Sequence, residues 1–193
     1  MKIRVVFLDI DGVLNSHEYM RSNRITPAEI GSVIGIDPLA TARLNRLVLE
    51  ASVDTDDPYE YAATPVQVVV SSTKRLGRTR EQLAEMLRER GFRGYVLGMT
   101  PEYVVRTPHP GDPYPDDRRG HEIQAWLETA PRYGIDVESF IIFDDDSDMA
   151  HLADRHIKTA FETGLTDTDV DRAVKMLREP PPLLILPEKE NRQ

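Results

Sequence analysis

Residues Val5–Asn15 read VVFLDIDGVLN, an apolar run that stops at Asp9-Ile10-Asp11-Gly12. From Ile3 to Leu8 the run is continuous and rich in β-branched residues, the pattern of a strand buried on both faces of a parallel sheet. Two carboxylates one residue apart at the end of such a strand are expensive to desolvate. An acidic turn would need no partners. A catalytic pair at the mouth of a sheet would need them, so the rest of the chain decides between the two.

Val66–Val70 is a second buried run and ends at Ser71-Ser72-Thr73. Phe140–Phe143 is another, running into Asp144-Asp145-Asp146-Ser147-Asp148. Shorter strands are expected at Tyr95–Leu97 and His156–Phe161. Helical periodicity separates them. Asp37-Pro38 reads as the cap and first turn of a helix that carries Leu39, Leu44, Leu47 and Val48 to about Glu50. Leu83, Met86 and Leu87 mark a helix stopped at Gly91. A third runs from about Gly120 to Thr129 with Ile123, Trp126 and Leu127 on one face, and a last spans Asp167–Arg178 on Val170, Val174 and Leu177. Strands alternating with helices predict an α/β fold, a parallel sheet covered on both faces through right-handed crossovers. In such sheets the reactive crevice lies beyond the carboxyl ends of the strands.

Those ends carry chemistry. Asp9 and Asp11 follow the first strand, Ser71 and Ser72 the second, and Asp144, Asp145 and Asp148 the fourth, while Arg118-Arg119 precedes it. If the ends converge, the crowded carboxylates need a divalent cation. Oxygen-only ligands, with no cysteine and no clustered histidine, point to Mg²⁺ rather than zinc. Phosphoryl transfer uses these parts: a carboxylate attacks phosphorus, fixed cations absorb the charge, and a second acid moves the proton. Residues i and i+2 of a strand point the same way, so Asp9 and Asp11 can both face the crevice once Gly12 permits a sharp turn.

FLDIDGVLN resembles motif I of the haloacid dehalogenase-like (HAD) phosphohydrolases, an apolar strand followed by DxDG and Thr or Val. VVVSS resembles their motif II, and IIFDDDSD their motif IV, in the family's order from Ile3 to about Leu177. The resemblance implies a Rossmann-like three-layer αβα sandwich around a central parallel sheet. It makes Asp9 the nucleophile and Asp11 the general acid/base. Asp9 and the Asp11 backbone carbonyl would hold Mg²⁺, with Asp144 or Asp145 completing the site and Asp148 supporting it. Ser71 would hydrogen-bond the phosphate, a role Ser72 could exchange with it. The family's pairing cation would be Arg119, with Arg118 as its rival. Gly12, Ser72, Arg75 and Arg118 fall on the substrate side. SSTKR, RGHEIQAWL, FDDDSDM and GLTDTDV together resemble the small HAD domains attached to some RNA-repair enzymes.

With 193 residues, 40% hydrophobic and 30% charged, the chain is expected to form one domain over residues 1–179, followed by a tail at 180–193. A flap at about 15–37 and a loop insert at about 98–118 leave room for a minimal cap or none. His17, Tyr19 and Arg21 in the first, and Tyr103, Arg106 and His109 in the second, are candidate substrate contacts. The acidic stretch Asp54–Asp57 reads as a solvated loop, and Leu183–Leu186 as an edge strand or docked tail.

The net charge of −9 argues against binding nucleic acid through a general positive field. Lack of cysteine excludes disulfides and thiolate chemistry and fits a cytoplasmic location. The early Asp9 and Asp11 break any signal-peptide core, and no stretch is apolar for long enough to span a membrane. An open site suits a phosphorylated substrate as large as a nucleic-acid end, or a nucleotide covered by neighbouring loops. The alternatives are a small-metabolite or protein phosphatase, and a non-catalytic HAD-fold binding module.

Overall fold

The computed structural model describes residues 2–53, 64–102 and 118–179. Tyr103, Arg106, His109, the stretch Asp54–Asp57 and the expected strand Leu183–Leu186 lie outside the described residues. The strands are β1 (Lys2–Leu8), β2 (Val66–Val70), β3 (Val96–Met99), β4 (Asp136–Asp144) and β5 (His156–Lys158). The helices are α1 (His17–Ser22), α2 (Pro27–Ile30), α3 (Pro38–Ala51), α4 (Arg80–Glu89), α5 (Arg118–Thr129) and α6 (Asp167–Arg178). All strand pairs are parallel, in the order β3-β2-β1-β4-β5.

The apolar run of β1 lies at the centre of this sheet, and its alternating residues serve two cores. Val6 and Leu8 pack with Leu44 and Leu47 of α3, Leu83 and Leu87 of α4, and Val170 and Leu177 of α6. Val5 and Phe7 pack on the other face with Ile123 of α5, Phe140 and Ile142. Phe7 meets Trp126 edge-on, with ring centroids 5.3 Å apart. This is a Rossmann-like αβα sandwich, as the alternation of strands and helices predicts.

Strand order places the site. The chain moves outward from β1 to β2 and β3, then crosses back to β4 on the other flank of β1. Right-handed crossovers therefore put α5 on the face opposite α3 and α4. The order reverses between β1 and β4, and crevices form at such a switch point. Leu8 pairs with Phe143, and the Asp9 N–H donates to the Phe143 carbonyl at 2.9 Å, so the acids after both strands emerge side by side.

Several elements differ from expectation. β4 begins at Asp136 rather than Phe140, because its half-exposed first residues lack a continuous apolar run. β3 is shifted to Val96–Met99, and α5 starts at Arg118. β5 stops at Lys158, since the chain turns at once: the Thr163 and Gly164 N–H groups donate to the Ala160 carbonyl at 3.0 and 2.8 Å. The expected flap holds two short helices. Ser16 caps α1 by accepting from Tyr19 N, and Thr26 with Glu29 forms a capping box on α2. Among the described residues, no helix is long and apolar enough to cross a membrane.

Candidate active site

Beyond β1 the backbone folds into a tight loop. The N–H groups of Val13, Leu14 and Asn15 all donate to the Ile10 carbonyl, at 3.3, 2.9 and 3.2 Å. Gly12 takes a positive φ of 71°, and a Cβ there would sit 2.3 Å from Cγ of Asp145. Glycine is thus required twice, for its dihedral and for the close approach of an acid from β4. The Gly12 carbonyl accepts from Thr159 Oγ1 at 2.8 Å, and its N–H donates to Asn15 Oδ1 at 2.9 Å. Asn15 Nδ2 in turn donates to Asp11 Oδ1 at 2.7 Å.

Beyond β2, Ser71 and Ser72 are fully buried. The Ser72 hydroxyl hydrogen-bonds the Asp9 carboxyl and accepts from Lys74 N at 3.3 Å. Ser71 accepts from Thr100 Oγ1 at 3.4 Å. Of the two serines it is therefore Ser72 that touches Asp9. Lys74 stands in a 3₁₀ turn, Thr73–Arg75, with its Nζ 2.7 Å from Asp11 Oδ1. Arg75, expected on the substrate side, faces inward instead: it donates to the carbonyls of Ser72, Thr100 and Pro101 and pairs with Glu122 Oε1 at 2.7 Å. A buried guanidinium satisfied in this way braces the ends of β2 and β3.

At the start of α5, Arg119 reaches the acids. Its Nε is 3.1 Å from Asp144 Oδ2 and its Nη2 is 3.7 Å from Asp9 Oδ1, while Nη1 lies 3.4 Å from Glu122 Oε2. Asp148 sets the helix end, accepting the Arg119 N–H on Oδ2 at 3.1 Å and the Gly120 N–H on its carbonyl at 3.0 Å. Arg118 is directed elsewhere, to Glu102 and Glu122 at 3.7 and 3.4 Å. In the flap, the Tyr19 hydroxyl donates to the Ile34 carbonyl at 3.1 Å, while His17 Nδ1 pairs with Glu162 at 2.9 Å and Arg90 Nη2 donates to the Tyr19 hydroxyl at 3.2 Å, contacts that hold the flap to the body. Arg21 is exposed.

Asp9, Asp144 and Asp145 each offer a carboxylate oxygen within 4.8 Å of the others. Burial pushes the Asp9 carboxyl up to about 7, reinforced by the neighbouring Asp144 and opposed by Arg119 and the Ser72 hydroxyl. Burial likewise raises Asp144 to about 6, against Arg119 and the Asp146 N–H, and raises Asp145. Asp148 Oδ1 is buried with no hydrogen-bond partner among the described residues, and Asp144 Oδ2 is met there only by the ion pair with Arg119 Nε. Arg119 beside Asp9 and Asp144, and Lys158 near Asp145, leave these carboxyls short of positive charge. An all-oxygen cluster short of positive charge has the donor chemistry of a hard-cation site, and Asp9, Asp144 and Asp145 could hold a metal ion there.

Sequence reasoning did not find Lys74, Asn15, Thr159 or Glu122. For Asn15 a signal exists in DGVLN, a side chain placed to close an Asx-type turn on Gly12. For the others only tertiary placement shows the role.

A parallel Rossmann-like sheet with acids beyond β1 and β4 at its switch point, and an arginine at the mouth of α5, defines a HAD-type domain. Residues 5–170 match the family described as the HAD domain in Swiss Army Knife RNA repair proteins, and the chain belongs to that family. Neither a curated protein nor a solved structure matches the chain.

Proposed function

We propose that the protein is a Mg²⁺-dependent phosphohydrolase that works through an aspartyl-phosphate on Asp9 and removes the terminal phosphate of a nucleic-acid end. The convergence of Asp9, Asp144 and Asp145 within 4.8 Å, with Arg119 set on Asp9 and Asp144, carries this reading. Family membership adds the link to RNA repair. The half-exposed Asp11 side chain supports an approach from solvent by a large substrate.

Asp9 attacks phosphorus as the ester bond breaks, and Asp11 donates its proton to the departing oxygen. Asp11 then takes a proton from water, which attacks the phosphorus and frees Asp9 and inorganic phosphate. Arg119 compensates charge on the nucleophile and on the transferring group. Ser72 holds the Asp9 carboxyl in place, and Ser71 is the hydroxyl offered to the phosphate. Mg²⁺, held by Asp9, the Asp11 carbonyl, Asp144 and Asp145 with Asp148 behind them, would neutralise the cluster and the phosphate together.

The test is a metal-dependent panel setting 3′- and 5′-phosphorylated oligonucleotides against mononucleotides, sugar phosphates and phosphopeptides. The expected result is turnover that needs Mg²⁺, prefers an oligonucleotide end and is trapped by beryllium fluoride. Equal turnover in EDTA would sink the mechanism. Preference for a sugar phosphate or phosphopeptide would replace the substrate class, and turnover of nothing would make the fold a binding module.

A further inference from the structure

Asp11 has a cation of its own. Lys74 is only 9% exposed, and its turn is fixed on both sides: its N–H donates to Ser72 Oγ, and its carbonyl accepts from Arg78 Nη1 at 2.7 Å. A buried ammonium is costly unless a partner meets it, and the partner here is one oxygen of one carboxylate. Lys74 Nζ lies 2.7 Å from Asp11 Oδ1, and Asn15 Nδ2 donates to the same oxygen at 2.7 Å. Asn15 is itself tied through Oδ1 to the Gly12 N–H. The carboxylate is therefore gripped at Oδ1 by two donors anchored in different loops, one after β2 and one after β1.

We infer that Lys74 is a positioning residue for proton transfer by Asp11: with Asn15 it occupies Oδ1 and leaves Oδ2 to carry the proton. This rests on the reading of Asp11 as general acid. As the bond from Asp9 to phosphorus forms, the bond to the ester oxygen breaks. That oxygen leaves with the electron pair and takes the proton from Asp11 Oδ2. In the second step a water proton returns to Oδ2. Lys74 keeps its own protons throughout. Its contribution is to stop the Asp11 carboxylate from rotating, and a misplacement on the scale of an ångström costs roughly 10²-fold in rate.

Leaving-group dependence isolates that contribution. A p-nitrophenolate departs without being protonated, whereas an alkoxide needs the proton. The quantity kcat/KM covers only the steps up to that departure. Lys74→Met keeps the length and bulk of the side chain without its charge. It should lower kcat/KM roughly 10²-fold on an alkyl phosphate, a phosphorylated oligonucleotide end or glycerol phosphate, and much less on p-nitrophenyl phosphate. Lys74→Arg keeps the charge but not the reach and should show the same split at smaller size, so an unfolded methionine variant does not remove the test. Equal losses on both ester types, an effect confined to KM, or no change at all would overturn the inference while leaving the phosphatase reading intact. A parent protein inactive on every ester would bring down both together.

Discussion

Asp9 and Asp11 are the same residue type two positions apart, and the fold gives them opposite surroundings. Asp9 is buried beside Asp144, beneath Ser72 and Arg119, and its carboxyl is pushed up to about 7. The Asp11 side chain is about a third exposed and is held by Lys74 and Asn15. A nucleophile has to be ionised, and burial among acids opposes that until positive charge is supplied. A proton carrier needs an open route to the leaving oxygen and to water. One strand end supplies both because the chain leaves β1 at Asp9 and turns at Gly12, directly after Asp11.

The comparison breaks most sharply by removing each carboxylate in turn. Asp9→Asn should lower kcat roughly 10⁴-fold or more. Asp11→Asn should lower it roughly 10²- to 10⁴-fold, with phosphoenzyme accumulating on Asp9 because water is no longer activated. Intact-mass spectrometry after rapid mixing distinguishes them, and equal phosphoenzyme in both variants would collapse the distinction. The nucleophile's side is next. Arg119→Met should cost roughly 10²- to 10³-fold in kcat/KM, and Arg118→Met clearly less, because only Arg119 reaches Asp9 and Asp144. Steady-state kinetics ranking the two the other way would reassign the pairing cation.

Gly12→Ala tests the turn that follows the two acids. It forces a β-carbon against Asp145 at a positive φ and should cost about 1–3 kcal/mol, read as a lower Tm, together with weaker Mg²⁺ binding. An unchanged Tm would mean that the loop relaxes freely. The smallest effect is on pH dependence. A carboxyl whose folded pKa lies above its unfolded value favours the fold when protonated. The contribution of Asp9 to metal-free stability is thus fully present below its ordinary value of 3.8 and is lost as pH rises through about 7. Calorimetry should show the metal-free Tm falling across that window, and Asp9→Asn should flatten the fall. A parent and a variant with the same slope would place the titration elsewhere.

What the sequence made legible were long apolar runs and the polar groups that end them. β1, β2 and the end of β4 stand out because central parallel strands are apolar on both faces, and α6 has the expected bounds, Asp167–Arg178. The α1 and α2 helices were not legible, since six and four residues are too few to display a helical period. Arg119 beside Asp9 and Asp144 could be anticipated because the resemblance sets a cation ahead of the second acid group. Lys74 could not. It meets Asp11 from another strand end, and nothing local in SSTKR sets it apart. The inward direction of Arg75, expected on the substrate side, depends on Glu122, which lies on α5 and is invisible to local pattern.

The pairing of Leu8 with Phe143 joins the beginning of the chain to a strand near its end. Asp9, Asp11 and Lys74 are all in place in sequence long before Asp144 and Asp145 are made. Contacts of such long separation close slowly and late. A chain cut between β3 and β4 would therefore carry Asp9 and Asp11 without the acids that complete the proposed site. On the proposed mechanism, hydrolysis would certify completed folding, beginning only when the last acids dock beside the first.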